Sequence, residues 1–358
     1  MANVLLTVSG VVPPGIAEQI TCGVRPRADY LELARAFDAD LLDYTEARRS
    51  SRRFGRLLER IGGADLMLAW ECFTRRRRYR IIFTDGEQVG IPLAWLGKFC
   101  DPGGRRPRHL MIAHILSVKK KMVFFDWFGI QSHIDRFFVY STWQKRFIED
   151  RWKIAPERVI HTPFMVDTQF FAPDRVVPTD AAGGPVICSV GLERRDYRTL
   201  LAAVHGLNVR VTIAAASPWS KRADSTRNQE IPANVSVRRF SQAELRQLYM
   251  DSRFLAMPLH DVDFQAGVTA ILEAMAMGRA VICSRTPGQT DVVVEGETGL
   301  YVPPNDPPAL RSAIEYLLAH PEEAERMGRA GCRRVEESMS LESYVQSLSR
   351  WVADTIDR

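Results

Sequence analysis

Short apolar runs of four to six residues recur along this 358-residue chain, alternating with stretches whose apolar residues fall at helical spacing. A parallel sheet demands this pattern, because each crossover needs a helix and each strand is covered on both faces. In the first half, residues 3–8, 65–69, 80–84, 110–113, 136–140 and 158–161 read as strands. Residues 30–37, 48–61 and 144–151 read as helices, the second basic and amphipathic, the third capped by Ser141. Residues 172–184 (APDRVVPTDAAGG) lack periodicity and read as a linker. A second α/β series follows through 186–190, 199–204, 210–214, a helix near 243–250, 254–257, a helix near 268–277 and 280–283. Residues 309–320, 322–336 and 341–356 are the last helices. The length and the two series suit two α/β domains.

At 46% apolar and 25% charged residues the chain is neither disordered nor fibrous. Its six cysteines form no Cys-x-x-Cys pair and have no histidine at zinc-like spacing, so they read as reduced thiols of a cytoplasmic protein. The opening MANVLLTVSG reads as a first strand rather than a signal peptide. No run reaches the roughly 18 apolar residues of a membrane span, so a soluble or peripheral protein is expected. Residues 1–175 hold 28 basic and 20 acidic side chains, against 20 and 23 in the remainder. The basic half suits either an acidic partner or a solvated basic face. Two runs there, Arg75 to Arg78 with Arg80 and residues 119–128 (KKKMVFFDWF), place cations beside aromatics and suit a peripheral membrane contact. No nucleic-acid motif accompanies them, so no nucleic-acid partner is expected.

In open parallel sheets, ligands bind beyond the carboxyl ends of the strands. Three loops of the second series hold such places. Residues 191–197 (GLERRDY) carry Arg194 and Arg195, and residues 217–222 (SPWSKR) carry Lys221 and Arg222. Residues 260–267 (HDVDFQAG) open a helix that begins near Gly267, Val268 and Thr269 and holds Glu273. Two basic loops and a helix N-terminus suit a diphosphate. A glutamate inside the apolar VTAILEAMAM is a costly core residue unless a partner uses it. In the first series His114 ends a strand, and Asp85 and Glu87 either face an acceptor or shape the turn at Gly86.

Residues 265–304 (QAGVTAILEAMAMGRAVICSRTPGQTDVVVEGETGLYVPP) resemble the donor-binding signature of the retaining, family-4-type glycosyltransferases of the GT-B fold, the glycosyl transferases group 1. Residues 187–191 (ICSVG), 135–141 and 164–171 (FMVDTQFF) resemble further elements of that family. The resemblance implies two Rossmann-like domains facing a central cleft: residues 1–172 for the acceptor and 184–340 for the nucleotide sugar, with the last helix, about 341–358, packing back on the first. It implies sugar transfer from a nucleotide sugar, expected to be a UDP-sugar, to a lipid, aglycone, glycan or peptide acceptor. Retention is implied, with no metal and no cofactor beyond the nucleotide-sugar co-substrate.

By the same resemblance, Glu273 accepts hydrogen bonds from ribose hydroxyls, and His114 faces the donor sugar. Arg195 or Arg194, with Lys221 or Arg222, binds the phosphates, beside Gly191 and the helix start at Gly267, Val268 and Thr269. The loop at residues 10–15 (GVVPPG) lacks the family's paired glycines, with Gly15 as the candidate to serve in their place. One departure is plain. The family's glutamate eight residues before the ribose carboxylate is Gln265 here, and Gly267 sits one residue from the usual glycine. Either Gln265 faces the sugar or the loop is shifted and Asp263 is the acid. Two alternatives stay open: a non-catalytic nucleotide-sugar-binding protein and a nucleotide-sugar epimerase of the same fold.

Overall fold

The computed structural model describes residues 2–51, 53–101, 106–179, 184–215 and 230–357. Two six-stranded, all-parallel sheets organise the chain. The first contains β1 (Val4–Thr7), β2 (Ala39–Leu42), β3 (Ile81–Thr84), β4 (Arg108–Ala113), β5 (Arg136–Val139) and β6 (Val159–His161), in the order β2-β1-β3-β4-β5-β6. The second contains β7 (Val186–Val190), β8 (Arg210–Ala214), β9 (Val235–Arg238), β10 (Phe254–Met257), β11 (Ala280–Ser284) and β12 (Gly299–Val302), in the order β12-β11-β10-β7-β8-β9. Every residue of β1, β3, β5, β10 and β11 is buried, as strands covered on both faces require. The strand order reverses between β1 and β3 and again between β7 and β10, which creates a topological switch point in each sheet. Among the described residues no helix is long and apolar enough to cross a membrane.

The chain divides into two compact units, Met1–Glu18 with Arg27–Pro163 and Tyr344–Arg358, and Gln19–Pro26 with Phe164–Ser343. The chain thus enters its second unit before the proline- and glycine-rich stretch at 172–184. Phe170 and Phe171 belong to that unit's core, where Phe171 packs edge-on to Tyr249 at 6.2 Å. The last helix, Leu341–Asp357, supplies the first unit from Tyr344 onward. Tyr344 meets the Tyr140 hydroxyl at 3.0 Å, and Asp354 pairs with Arg136 at 2.5 Å. The Arg136 guanidinium lies 4.3 Å from the centre of the Trp351 ring.

Two local expectations are corrected. The helix expected over 48–61 is broken into the helix Tyr44–Ser50 and the helical run Arg53–Arg75, parted where Ser51 adopts an extended ψ of 126°, and the second run is itself interrupted at Gly63, with φ 82° and ψ 179°. The strand expected at 65–69 lies inside the second of these, with Met67, Leu68, Ala69, Cys72 and Phe73 buried. A short continuous apolar run carries no period of its own, so strand and buried helix look alike. Three strands escaped the sequence reading. All three, β2, β9 and β12, are sheet edges; exposed Asp40 breaks the apolar run in β2, and Ser236 and Arg238 break it in β9.

Trp351→Ala should strip the cover from the Arg136 guanidinium and lower stability by about 1–2 kcal/mol, with the larger part from the lost cation–π contact. Urea unfolding of the variant beside Asp354→Ala measures it, and equal stability of wild type and both variants would show that the last helix contributes nothing here.

Candidate functional site

The switch point between β7 and β10 carries the chemistry. As β7 ends, Gly191 turns the chain at a φ of 104°, in the left-handed region. Arg195 then folds back beneath the turn: its Nε donates to the Val190 carbonyl at 2.8 Å and its Nη1 to the Glu193 carbonyl at 2.7 Å. The loop is tightly built. The Tyr197 hydroxyl donates to the Gly191 carbonyl at 2.5 Å, and Asp196 caps the helix Tyr197–Val204 by accepting from the Thr199 amide at 3.1 Å. Arg195 is buried whereas Arg194 is exposed, so only the former points into the site.

The loop after β10 is bound to this one. Arg195 and Leu259 form an antiparallel bridge, and the His260 amide donates to the Arg194 carbonyl at 3.0 Å. From the other side, Ser284 Oγ accepts from the Leu259 amide at 3.0 Å and Gln289 Nε2 donates to the Ala266 carbonyl at 3.1 Å. Gly288 lies so close to the Phe264 backbone that a Cβ would come within 2.3 Å of it. These three residues support the loop, and all lie within the 265–304 stretch that carries the resemblance. The loop ends at Gly267, left-handed at a φ of 78°, which opens the helix Val268–Ala276. No side chain caps that helix, so its first amides stay available.

Gly191, Arg195, Gln265, Gly267, Thr269 and Glu273 line one cavity of about 300 Å³, together with Val268 and Ala270. Among the described residues no carboxylate lies within ion-pair distance of Arg195, and burial lowers its affinity for the proton while leaving it charged. A buried cation without an anion is expensive. The cavity therefore holds a fixed positive charge beside open helix amides. Deeper in, Glu273 is 6% exposed and accepts from the Tyr249 hydroxyl at 2.8 Å. Burial raises its pKa to about 7, against the lowering pull of the Tyr249 bond and the Arg195 charge. Tyr249 went unnoticed in the sequence, since nothing local ties it to a residue 24 positions away. Gln265 has a buried, unpartnered Oε1, while Asp263 is not part of the lining. Lys221 and Arg222 lie outside the described residues.

In the first unit, Asp85 and Glu87 are structural. Asp85 pins the turn after β1, accepting from Thr7 Oγ1 at 2.6 Å, the Ser9 amide at 2.5 Å and Ser9 Oγ at 2.8 Å. Glu87 is buried and accepts from the His114 amide at 2.8 Å, the Ile115 amide at 3.2 Å and Lys121 Nζ at 2.6 Å. Burial opposes its ionisation, yet the His114 hydrogen bond and the charges of His114 and Lys121 hold it well below the usual carboxylate range. His114 follows β4 with its Nδ1 3.4 Å from Glu87 Oε2 and its side chain 40% exposed. Burial lowers its proton affinity, but Glu87 more than reverses this and the net shift is upward.

Residues 184–320 match the family described as glycosyl transferases group 1. A D-rhamnosyltransferase, WbpZ, of Pseudomonas aeruginosa is 31% identical over 144 residues, which cover 39% of this chain and 38% of that protein. A GDP-mannose-dependent alpha-(1-6)-phosphatidylinositol monomannoside mannosyltransferase of Mycolicibacterium smegmatis is 29% identical over 190 residues, covering 48% and 50%. The chain thus spans half or less of these relatives' lengths. Among solved structures, sucrose-phosphate synthase from Thermosynechococcus elongatus superposes with a TM-score of 0.72 at 17% identity, covering 99% of each chain. Anabaena HepE in complex with UDP and glucose superposes at 0.68 and 11% identity, covering 99% of this chain and 100% of that one. The fold is GT-B.

Glu87→Gln should lower the His114 pKa by removing the anion that raises it, so that the imidazole loses its proton at a lower pH than in the wild type. Leaving Lys121 unpaired should also cost about 3 kcal/mol of stability. NMR titration of the His114 ring reads the first effect and denaturant unfolding the second; an unmoved titration would remove Glu87 as its cause.

Proposed function

We propose that the chain is a glycosyltransferase that binds a nucleotide diphosphate sugar on its second unit and transfers the sugar with retention to an acceptor taken by the first. The observation that carries this reading is the buried Arg195, unmatched by any carboxylate among the described residues and set beside the open amides of the helix Val268–Ala276. A diphosphate supplies the missing negative charge. As it departs it gains charge, and Arg195 with the helix amides stabilises it without calling on a metal. Glu273 is the proposed acceptor for ribose hydroxyls. Gln265 is the proposed contact to the sugar, since its unpartnered Oε1 belongs to a residue of the cavity wall and its amide both donates and accepts. His114, whose proton affinity Glu87 raises, is the proposed reactive group of the first unit.

The donor is proposed to be a UDP-sugar, a reading supported by the HepE complexes with UDP and glucose and with UDP-glucose. The name of the mannosyltransferase relative favours a guanosine donor as the second reading. Calorimetric titration with UDP and GDP separates them. Binding of neither would overturn the proposed function. Tight binding without turnover on any donor and acceptor would mark a nucleotide-binding protein instead.

Two outcomes test the residues. Glu273 is mostly protonated below its value of about 7 in the free protein, and ribose hydroxyls favour the carboxylate. Nucleotide binding at pH 6 should therefore release a proton, and affinity should rise with pH and level off above about 7. Calorimetry in buffers of differing ionisation enthalpy measures the release. Glu273→Ala should weaken binding ten- to hundredfold, on the order of 1.5–3 kcal/mol, and abolish the release; a pH-independent affinity would place the ribose elsewhere.

Arg195→Ala should lower kcat more than it raises KM, because its charge matters most as the diphosphate leaves. Wild-type turnover should persist in EDTA. If chelation stops the reaction and a divalent ion restores it, the cation is not standing in for a metal.

A further inference from the structure

The end of the first unit at the amino-terminal edges of β3 and β4 carries charge and apolar surface that none of the chemistry above uses. Arg76, Arg77, Arg78, Arg80, Arg106 and Arg108 line one open cavity there. Part of this charge has structural work. Arg76 donates to the Phe73 carbonyl at 2.7 Å, serving the end of the helix Arg53–Arg75, and pairs with Asp101 at 2.6 Å. Arg106 and Arg108 share Asp135 at 2.7 and 3.0 Å. Two carboxylates against six guanidinium groups leave a large excess. Arg77 is 72% exposed and only 3.8 Å from Asp101 at its nearest, and among the described residues Arg78 has no ion-pair partner.

Beside this cavity lies an exposed apolar cluster. Trp95 and Phe99 of the helix Glu87–Cys100 are 5.2 Å apart, and Phe99 meets Phe128 edge-on at 6.1 Å. Val123 and Trp127, on and just after the helix Lys119–Asp126, are exposed, Trp127 to 82%. Exposed lysines 119 and 120 stand at the start of that helix. The two features are one surface. Lys98 Nζ donates to the Phe128 carbonyl at 2.8 Å and to the Gly129 carbonyl at 2.9 Å, while Arg106 reaches the Ser132 carbonyl at 3.4 Å. Asp101, one residue beyond the Trp95 helix, is the acid that Arg76 and Arg77 approach.

We propose that this end of the first unit docks on an anionic lipid bilayer. Phosphate headgroups would meet the guanidinium groups, while Trp127 and its neighbours enter the interface, where amphipathic rings reside. Neither half accounts for the other in a free protein: an exposed tryptophan gains nothing from water, and the unmatched arginines repel each other across the cavity.

Flotation of the full chain with vesicles of phosphatidylcholine alone, and of phosphatidylcholine mixed about 3:1 with phosphatidylglycerol, tests it. Binding is expected to the mixed vesicles only, and to fade as salt rises. Arg77→Gln with Arg78→Gln should weaken partition about thirtyfold, and Trp127→Ser about tenfold or more, both with unchanged thermal unfolding. No binding to mixed vesicles, or binding indifferent to both variants, overturns the proposal. So does displacement by millimolar inorganic phosphate with no dependence on Trp127, which would mark a pocket for free anions. Sedimentation showing self-association that Trp127→Ser abolishes would give the surface to a second copy of the chain instead.

Discussion

A single guanidinium sets the geometry of the second unit's site. Arg195 is held by two carbonyls of its own loop, at Val190 and Glu193, and by no acid among the described residues. Carbonyls orient a cation without neutralising it, so its charge stays directed at the cavity. The neighbours conform to this placement. At both Gly191 and Gly267 a Cβ would press on the Arg195 side chain, at 2.4 and 3.3 Å, and both residues have a left-handed φ that glycine adopts freely. The loop after β10 must follow, because the bridge from Arg195 to Leu259 joins it to the same support.

The two sheets differ in strand order but share one feature, which they put to different uses. Each has a switch point beside its first strand, where the loops after two neighbouring strands diverge. In the second unit that place holds a cation with unspent charge. In the first it holds Asp85, whose oxygens are consumed by Thr7 and Ser9. The switch point of the first unit is thus closed on itself, and its exposed titratable group, His114, stands one strand further along, after β4.

What could be read in the sequence follows from how local each signal is. Buried parallel strands such as 254–257 and 280–283 announce themselves, because being covered on both faces leaves an unbroken apolar run. β2 and β9, at sheet edges, lose that run to Asp40 and to Ser236 and Arg238, and were missed for that reason. The Gly267 turn and Glu273 were legible because a glycine and a glutamate are conspicuous at a helix start and in an apolar helix. The choice between Arg194 and Arg195 was not, since adjacent identical side chains differ only in the direction the backbone throws them, and Arg194 takes an unusual φ of 59°. For Glu87 the sequence left an acceptor contact and a turn both open; its hydrogen bond to Lys121, 34 residues on, leaves no local mark.

The last helix gives this chain an order of assembly that its sequence order conceals. Arg136 lies in β5, but the ring that covers it and the carboxylate that pairs with it are Trp351 and Asp354. A ribosome therefore makes nearly all of the first unit early and must then make Phe164–Ser343 of the second before the first can be completed. Until then a guanidinium meant for a covered place stands bare. Synthesis of the helix Leu341–Asp357, rather than the emergence of the first half, is the event that completes the amino-terminal fold.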